Sequence, residues 1–338
     1  MKVAIVCDWL TGIGGAERVV LELHRMFPSA PIYTSQYDPK KIDWFKDADV
    51  HTGWLQKLPN SLKKFLPVLR AWYFSHLDLS GYDLVISSSG AEAKAVKTGD
   101  TLHICYMHAP THYYWSRYED YLKNPGFPTG LNWLAKLGLR LLVGPLRRWD
   151  YKAAQKPSHI IANSSHTSKM IAQYYNRDSV VIFPPVDLER FVNISKLVAP
   201  FNLLIVGRQT PYKKIDLAVS AATKLNIPLS VLGDGPEHNK LTQIAGPTIT
   251  FIKNPSDEVV TSYMQNASAL IFPGLDDFGI TPVEAMAAGK PVIAYKSGGA
   301  LDYIVAGVNG DFFKSQTVDA LCSVLQSHIA NNYSSDDI

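Results

Sequence analysis

Residues 203–232 have the sequence LLIVGRQTPYKKIDLAVSAATKLNIPLSVL. The apolar run 203–206 has the length of a buried strand, and it leads into a loop, 207–214, that contains glycine and cations. Apolar residues recur at helical spacing over 215–225, and a second apolar run follows at 229–232. A strand, a loop, a helix and a second strand in this order form a β-α-β unit, which is typical of a parallel sheet.

The same alternation runs along the whole chain. Strands are predicted at 3–7, 31–34, 84–87, 102–107, 160–162 and 180–183 in the first half, and at 203–206, 229–232, 249–252, 269–272 and 292–295 in the second. A length of 338 residues corresponds to two domains of ordinary size. The sequence therefore predicts an α/β fold of two tandem, Rossmann-like, doubly wound parallel sheets that face each other across a cleft.

Prolines locate the boundary between these domains. Pro184, Pro185 and Pro200 bracket a segment that can form neither a continuous helix nor a central strand. We place a first domain at 1–183, a linker at 184–200, a second domain at 201–330 and a tail at 331–338. Open parallel sheets bind ligands at the carboxyl ends of their strands, so the loops that follow strands should carry the chemistry.

Composition and charge exclude several classes of protein. The chain has 46% hydrophobic and 19% charged residues, which is typical of a globular protein. Its 33 basic and 30 acidic residues give a net charge of +3, so no nucleic-acid partner is indicated. The three cysteines lack metal-ligand spacing, and no apolar run is long enough for a signal peptide or a membrane span. We expect a cytoplasmic protein that is soluble or peripheral to a membrane.

A glycine-rich loop follows the first predicted strand. Gly14 and Gly15 precede an amphipathic helix, where backbone amides and the helix dipole favour an anion. A tight turn that requires glycine explains this loop equally well. An NAD-binding fingerprint would have a third glycine where Glu17 stands, so the sequence supports NAD only weakly.

Cations follow the first strand of the second predicted domain. Arg208 offers a planar fork and Lys213 a point charge, and together they can hold a diphosphate without a metal. Alternatively, Lys213 and Lys214 are solvated residues at the start of a helix. A cation is unfavourable at the positive end of a helix unless an anion binds there, which favours the binding role.

The segment 273–289, PGLDDFGITPVEAMAAG, contains both a capping pattern and a polar loop. Thr281 as N-cap, Pro282 as first helical residue and Glu284 as third would form a capping box, and Gly289 would end the helix. This pattern leaves the preceding loop unexplained. Two carboxylates there, at positions 276 and 277, suit the hydroxyls of a sugar or ribose.

Two further features concern the first domain. His108 directly follows a predicted strand beside aromatic residues that could stack on a sugar, although a lone histidine is as often structural. Asp47 and Asp49 match the Asp-x-Asp pattern by which many sugar transferases hold a divalent cation. They precede no nucleotide-binding element, so we interpret them as exposed surface residues and predict no metal site.

Taken together, these motifs resemble glycosyltransferase family 4, whose two-domain fold is called GT-B. The resemblance covers nearly the whole chain in one order: Gly14 and Gly15, His108, Asn163-Ser164-Ser165, Pro184-Pro185-Val186-Asp187, Gly207-Arg208 with Lys213, Gly233-Asp234-Gly235-Pro236, and the loop from Asp276 to Glu284. The family signature is a pair of glutamates separated by seven residues. The second matches Glu284, whereas Asp276 stands in place of the first.

The resemblance implies a metal-independent transferase that retains the anomeric configuration of the transferred sugar. It implies that Arg208 and Lys213 bind the donor diphosphate, helped by the backbone amides of Phe278, Gly279 and Ile280. Glu284 would bind the nucleotide ribose, and Asp276 and His108 would contact the sugar. No cofactor is implied besides the nucleotide diphosphate sugar itself.

Within the family, the sequence is similar to bacterial GDP-mannose-dependent mannosyltransferases of surface-polysaccharide assembly. A polyprenyl-linked glycan is then the expected acceptor, so we predict binding to anionic membranes through residues 57–73 and 131–152, which mix cations with leucines and tryptophans. The alternative is that these helices bury their leucines. The family also leads us to expect a final helix that crosses to the first domain, and the sequence after 318–329 predicts that it is truncated.

Two other functions stay open on the sequence alone. Asp276 and the truncated end suit a nucleotide-sugar or glycan binding protein that has lost turnover. The tandem Rossmann-like sheets and the glycine loop also suit an NAD-dependent oxidoreductase, a third and less favoured hypothesis.

Overall fold

The computed structural model describes residues 1–58, 67–123, 132–192 and 201–330. By its internal contacts the chain divides into two units, Met1–Pro185 and Val186–Ile338, and each is described by itself below. Residues 331–338, the predicted tail, lie outside the described residues.

In the described part of the first unit, seven strands form one sheet in which all neighbours pair in parallel. The strands are β1 (Val3–Cys7), β2 (Ile32–Thr34), β3 (Val50–Thr52), β4 (Leu84–Ser89), β5 (Leu102–Met107), β6 (His159–Ala162) and β7 (Val180–Val181). Their order across the sheet is β3-β2-β1-β4-β5-β6-β7. The order reverses direction after β1, which is the doubly wound arrangement.

Helices cover both faces of this sheet. They are α1 (Gly15–Met26), α2 (Pro67–His76), α3 (Tyr118–Lys123), α4 (Asn132–Ala154) and α5 (Ser165–Tyr175). Successive strand residues point to opposite faces, so Ile5 of β1 packs in the cluster that contains Val20 of α1. Its neighbour Val6 packs on the other face with Phe74 of α2 and Ala153 of α4.

The second unit repeats this plan. Six described strands, β8 (Leu203–Val206), β9 (Leu229–Leu232), β10 (Ile249–Ile252), β11 (Ala269–Phe272), β12 (Val292–Tyr295) and β13 (Gly310–Phe313), form a parallel sheet in the order β10-β9-β8-β11-β12-β13. The described helices are α6 (Glu189–Val192), α7 (Ile215–Leu225), α8 (His238–Ile244), α9 (Asp257–Asn266), α10 (Ile280–Ala287) and α11 (Val318–Ala330). Leu203 faces α7 and α11, and Leu204 faces α9 and α10.

The prediction of two Rossmann-like parallel sheets is confirmed, and a strand forms at all eleven predicted places. Two further strands were not predicted. β3 is a half-exposed edge strand of three residues, and β13 begins at a glycine, so neither has an apolar run of ordinary length. Within the predicted linker 184–200, the structure describes α6, whose Phe191 is buried in the core of the second unit.

The first unit also shows how the two predicted membrane segments fold. In α4, Trp133, Leu134, Leu137, Leu141 and Leu142 are exposed, so the alternative that this helix buries its leucines is wrong over its first half. Residues 59–66 of the other segment lie outside the described residues. None of the helices in the described ranges is both long and apolar enough to cross a bilayer.

Candidate functional site

The loop after β8 carries the predicted phosphate ligands. The buried side chain of Gln209 holds this loop against the protein interior. The Gln209 side chain is fully buried; it donates to the Gly233 carbonyl at 2.8 Å and contacts His238 Nδ1 at 2.9 Å. Arg208 precedes it and is exposed, and among the described residues its guanidinium makes no ion pair. The buried glutamine therefore anchors a loop that presents the Arg208 side chain to solvent.

Lys213 is held more firmly. It ends a short 3-10 helix, Pro211–Lys213, and Lys214 has a left-handed backbone (φ 52°) before α7 begins. The Lys213 ammonium forms an ion pair with the Asp276 carboxylate and lies 5.6 Å from the centre of the Phe272 ring. The structure thus brings together two predicted site residues, and their charged groups pair with each other.

Asp276 belongs to the loop between β11 and α10, where the helix begins earlier than predicted. Gly279 is the N-cap, with a φ of 87°, and Ile280 is the first helical residue. The predicted capping box is therefore wrong, because Thr281 and Glu284 are the second and fifth helical residues. Pro282 fits inside the first turn because the amides there have no intrahelical acceptor to lose.

Glu284 is consequently not explained by capping. It is buried, with 9% of its surface exposed, one turn into α10. Gly289 follows the helix with a φ of 65°, close to the predicted end. Phe278, Gly279, Ile280 and Glu284 therefore lie on one continuous segment, which runs from the loop after β11 into the first turns of α10.

A second segment of the same unit, which the sequence did not single out, packs against this loop. The Gly299 amide donates to the Asp276 carbonyl at 3.0 Å. The Tyr303 hydroxyl donates to the carbonyls of Phe278 and Gly279, at 2.8 and 3.1 Å. Burial, and then the charge of Asp276, raise the pKa of Tyr303 well above its usual value, so the phenol stays a neutral donor.

The first unit has its own cavity, of about 260 Å³, at the carboxyl ends of β1, β4 and β5. The predicted site residue His108 lines it, and the His108 Nε2 lies 2.8 Å from the Ser88 hydroxyl. The lining residues are Cys7, Asp8, Trp9, Ala16, Glu17, Val20, Ser88, Gly90, His108, His112, Tyr113 and Tyr121. The cavity is thus lined by both aromatic and polar side chains, a combination found in small-molecule sites.

The predicted glycine loop borders this cavity. Gly14 is the N-cap of α1, and Gly15 begins the helix that carries the lining residue Glu17. Gly14 has an extended backbone (φ −162°) that any residue can adopt, so its conformation does not require glycine. The tight-turn explanation therefore does not account for Gly14.

Asp8 fixes one wall of the cavity. Its carboxylate accepts hydrogen bonds from the backbone amides of Gly90, Ala91 and Ala93, at 2.8, 3.0 and 2.7 Å. Sequence reasoning missed Asp8, although a carboxylate directly after the first strand was a usable signal.

Two buried ion pairs support the loop that follows His108. Lys94 lies 2.7 Å from Asp150 of α4, and Asp150 also accepts from Thr111, Trp115 and Tyr175. Burial alone would lower the pKa of Lys94, but the charge and hydrogen bond of Asp150, together with Tyr175 and Asp8, raise that pKa on balance.

The second pair joins Arg70 Nε to the Glu92 carboxylate at 2.8 Å, and Tyr113 of the same loop donates to Glu92. Arg70 is therefore not available to a membrane, contrary to its place in the predicted membrane segment 57–73. A buried guanidinium needs this carboxylate to compensate its lost hydration.

The Asp-x-Asp pair is not among the residues that line the cavity of the first unit. Asp47 and Asp49 are exposed, and Asp49 contacts His51 at 3.0 Å. Within the four described ranges, no group of three or more His, Cys, Asp or Glu side chains could hold a metal ion.

Both halves of the chain match models of known families. Residues 13–190 match Glycosyltransferase Family 4, and residues 186–338 match Glycosyl transferases group 1. The "Uncharacterized glycosyltransferase MJ1178" of Methanocaldococcus jannaschii is 28% identical over 48% of this chain and 47% of its own length. The "Alpha-1,3/1,6-mannosyltransferase ALG2" of Candida glabrata is 26% identical over 94% of this chain and 81% of its own.

Solved structures show the same fold. HepE of Anabaena, determined in complex with UDP, has a TM-score of 0.71 at 18% identity and covers 98% of this chain and 90% of its own. The lipopolysaccharide outer core galactosyltransferase WaaB has a TM-score of 0.67 at 18% identity and covers 99% and 93%. With two Rossmann-like sheets and a Family 4 match over more than half of its length, the chain belongs to glycosyltransferase family 4 and has the GT-B fold.

Proposed function

We propose that this glycosyltransferase is a retaining, metal-independent hexosyltransferase that moves mannose from GDP-mannose to a glycan or a lipid-linked glycan. One observation supports the proposal most directly: Lys213 forms an ion pair with Asp276, and Asp276 lies in the loop that leads into α10. It offers a cation and helix amides for a diphosphate and a carboxylate for sugar hydroxyls. These groups suit the transfer of a sugar from a nucleotide.

The reaction needs charge stabilisation more than a protein nucleophile. As the bond between the sugar and the diphosphate breaks, negative charge grows on the phosphate oxygens. Lys213 and Arg208 stabilise that charge, and the amides of Gly279 and Ile280 add the positive end of a helix. On the front-face route, the departing phosphate oxygen takes the proton of the acceptor hydroxyl, and the acceptor oxygen bonds to the sugar carbon on the face that the phosphate leaves.

Lys213 can serve the diphosphate without releasing Asp276. An ammonium has three N–H donors, and the ion pair with Asp276 uses one side of it. Asp276 in turn has oxygen lone pairs left for a sugar hydroxyl. We therefore assign Lys213 to the diphosphate, Asp276 to the sugar and Glu284 to the ribose.

The cavity in the first unit supports a sugar-binding role for His108. Ser88 holds one ring nitrogen, and Tyr106 packs edge-on against the ring with its centre 5.4 Å away. A ring held in this way has a defined orientation in the cavity. We propose that His108 contacts the transferred sugar, and that Gly14 and Gly15 let the substrate approach the backbone.

The choice of mannose rests on relatives named as mannosyltransferases. Besides the Candida protein, the "Alpha-1,3/1,6-mannosyltransferase ALG2" of Homo sapiens is 24% identical over 88% of this chain. HepE, by contrast, was determined with UDP and with UDP-glucose, so uridine nucleotides are the competing donors.

A donor panel tests the proposal directly. The protein is incubated with GDP-mannose, UDP-glucose, UDP-galactose and ADP-glucose in excess EDTA, and the release of nucleoside diphosphate is followed. We expect slow hydrolysis that is fastest with GDP-mannose and unaffected by the chelator. Preference for a UDP-sugar would reject mannosyl transfer from GDP, and rescue of an EDTA-inhibited enzyme by Mg²⁺ or Mn²⁺ would reject the metal-independent route.

The same panel separates turnover from binding alone. Tight binding of a nucleotide sugar without hydrolysis, and without transfer to any glycan acceptor, would favour a binding protein that has kept the fold.

We also propose that α4 binds an anionic membrane surface, where a polyprenyl-linked acceptor would be found. Its exposed leucines and Trp133 lie among Lys136, Arg140, Arg148 and Lys152, and the acid on this helix, Asp150, is buried. Apolar side chains insert at the boundary between head groups and acyl chains, and each cation adds about 1 kcal/mol of attraction to anionic lipid.

Co-sedimentation with vesicles tests this surface. We expect binding to anionic vesicles that weakens as salt rises, and less of it in Leu137→Gln/Leu141→Gln. Leu102→Gln, which changes an exposed leucine at the start of β5, is the matched control and should bind like the wild type. Equal recovery with neutral and anionic vesicles at low salt would contradict the proposal.

A further inference from the structure

Tyr303 contacts the loop before α10 with its hydroxyl and with its ring. The hydroxyl lies 2.8 Å from the Phe278 carbonyl oxygen and 3.1 Å from that of Gly279, so two consecutive carbonyls share one donor. The ring packs edge-on against Phe278 with its centre 5.3 Å away. Tyr303 lies 24 residues beyond Gly279, directly after the 3-10 helix Gly298–Asp302.

The direction of these carbonyls sets the direction of two amides. A peptide group is planar and trans, so its N–H points away from its C=O. The carbonyls of Phe278 and Gly279 face Tyr303, and the amides of Gly279 and Ile280 therefore face away from it. The amides at the start of a helix have no intrahelical acceptor and lie at its positive end.

Packing leaves this segment little freedom. A Cβ on Gly279 would lie 2.7 Å from the Phe272 ring and 2.9 Å from the Tyr303 hydroxyl. On the other side, the Gly299 amide holds the Asp276 carbonyl at 3.0 Å, and the Asp276 carboxylate is paired with Lys213. The hydrogen bonds of the Tyr303 hydroxyl are thus among several contacts that hold the loop in this conformation.

We propose that Tyr303 is a positioning residue for the donor phosphates. Its hydroxyl orients the peptide groups 278–279 and 279–280 so that their amides face the diphosphate. The inference rests on the proposed function, since it takes this loop as the diphosphate site. Tyr303 itself does not touch the donor.

Tyr303→Phe removes the hydroxyl and keeps the ring. We expect this variant to bind GDP about fivefold more weakly than the wild type, which corresponds to about 1 kcal/mol for one hydrogen bond. Guanosine, which lacks phosphates, should bind both proteins equally, so the ratio of the two affinities measures the orientation of the amides rather than general stability. KM for the donor should rise more than kcat falls.

Tyr82→Phe is the matched control, because it removes a tyrosine hydroxyl bonded to Tyr33 at 2.7 Å in the first unit. It should leave the GDP to guanosine ratio unchanged. An unchanged ratio in folded Tyr303→Phe would overturn the inference while leaving GDP binding by the wild type intact.

Amide hydrogen exchange on the wild type tests the same point without a variant. GDP should slow the exchange of the Gly279 and Ile280 amides, and UDP is tried in parallel. Binding of either nucleotide without such protection would overturn the role of these amides and with it that of Tyr303. A wild-type protein that binds neither nucleotide would overturn the proposed function itself.

Discussion

Lys213→Ala is the substitution that should weaken nucleoside diphosphate binding most clearly. The Lys213 side chain is 22% exposed and pairs with an Asp276 side chain that is 14% exposed, so both charged groups are largely shielded from solvent. A hydrogen bond to a charged group contributes about 1.5–3 kcal/mol. The expected loss in GDP affinity is therefore between about tenfold and about 150-fold.

Because Lys213 is paired with Asp276, we expect the loss of GDP affinity to lie in the upper part of the range from about tenfold to about 150-fold. Without the ammonium, the Asp276 carboxylate keeps its negative charge and repels the incoming diphosphate. Lys213→Ala/Asp276→Ala should then bind GDP more tightly than Lys213→Ala alone, a coupling that a double-mutant cycle measures.

Calorimetric titration with GDP at fixed salt is the assay, and Lys214→Ala is the matched control. Lys214 is the next residue, and its left-handed backbone (φ 52°) suits alanine no worse than lysine. It should bind GDP within about twofold of the wild type, because the ion pair with Asp276 belongs to Lys213, and a partly exposed charge that does not contact the diphosphate is screened by salt. If Lys213→Ala and Lys214→Ala weakened binding equally, the effect would be one of net charge and the assignment of Lys213 would be refuted.

Three further outcomes follow from the described contacts. Arg208→Ala should weaken GDP binding by about tenfold or more without lowering stability, because its guanidinium is exposed; titration and thermal unfolding check this, and unchanged affinity would contradict it. Gly279→Ala should lower the free energy of unfolding by about 2–4 kcal/mol, because it combines a left-handed backbone with a clash. Gly307→Ala, with a φ of 79° but open space around it, should cost only about 1–2 kcal/mol, and equal losses in urea unfolding would disprove the clash. Burial lowers the pKa of His103 to about 4. Because the unfolded chain takes up this proton below about pH 6.5, stability should fall by roughly 3 kcal/mol between pH 6.5 and 4, and a His103→Gln variant that showed the same pH dependence would exclude His103 as the cause.

The fold was predictable because both sheets are built from apolar runs separated by helical periods. β8 and β9 flank an eleven-residue helix whose spacing is clear in the sequence. The edge strand β3 was not predicted, because a short, half-exposed strand is stabilised by pairing with its neighbour and has no apolar run of its own.

The site was predictable only where its residues are close in the sequence. Lys213 and Asp276 were each identified from the loops that carry them, but their mutual ion pair joins residues 63 positions apart and has no local pattern. Tyr303 was missed for the same reason. The start of α10 was misplaced because Thr281 and Glu284 have the spacing of a capping box, while the left-handed Gly279 starts the helix two residues earlier.

The contacts of Asp8 bear on how the first unit folds. This carboxylate bonds to amides 82, 83 and 85 residues further along the chain, so the wall of the cavity cannot form locally. Closing a loop of that length costs conformational entropy, and this cost comes before the hydrogen bonds that offset it can form. We expect β1 and β4 to pair first and the cavity to close afterwards, as a slow, late step in refolding. A chain released early in synthesis, before residues 89–93 have emerged, would have none of these partners for the Asp8 carboxylate.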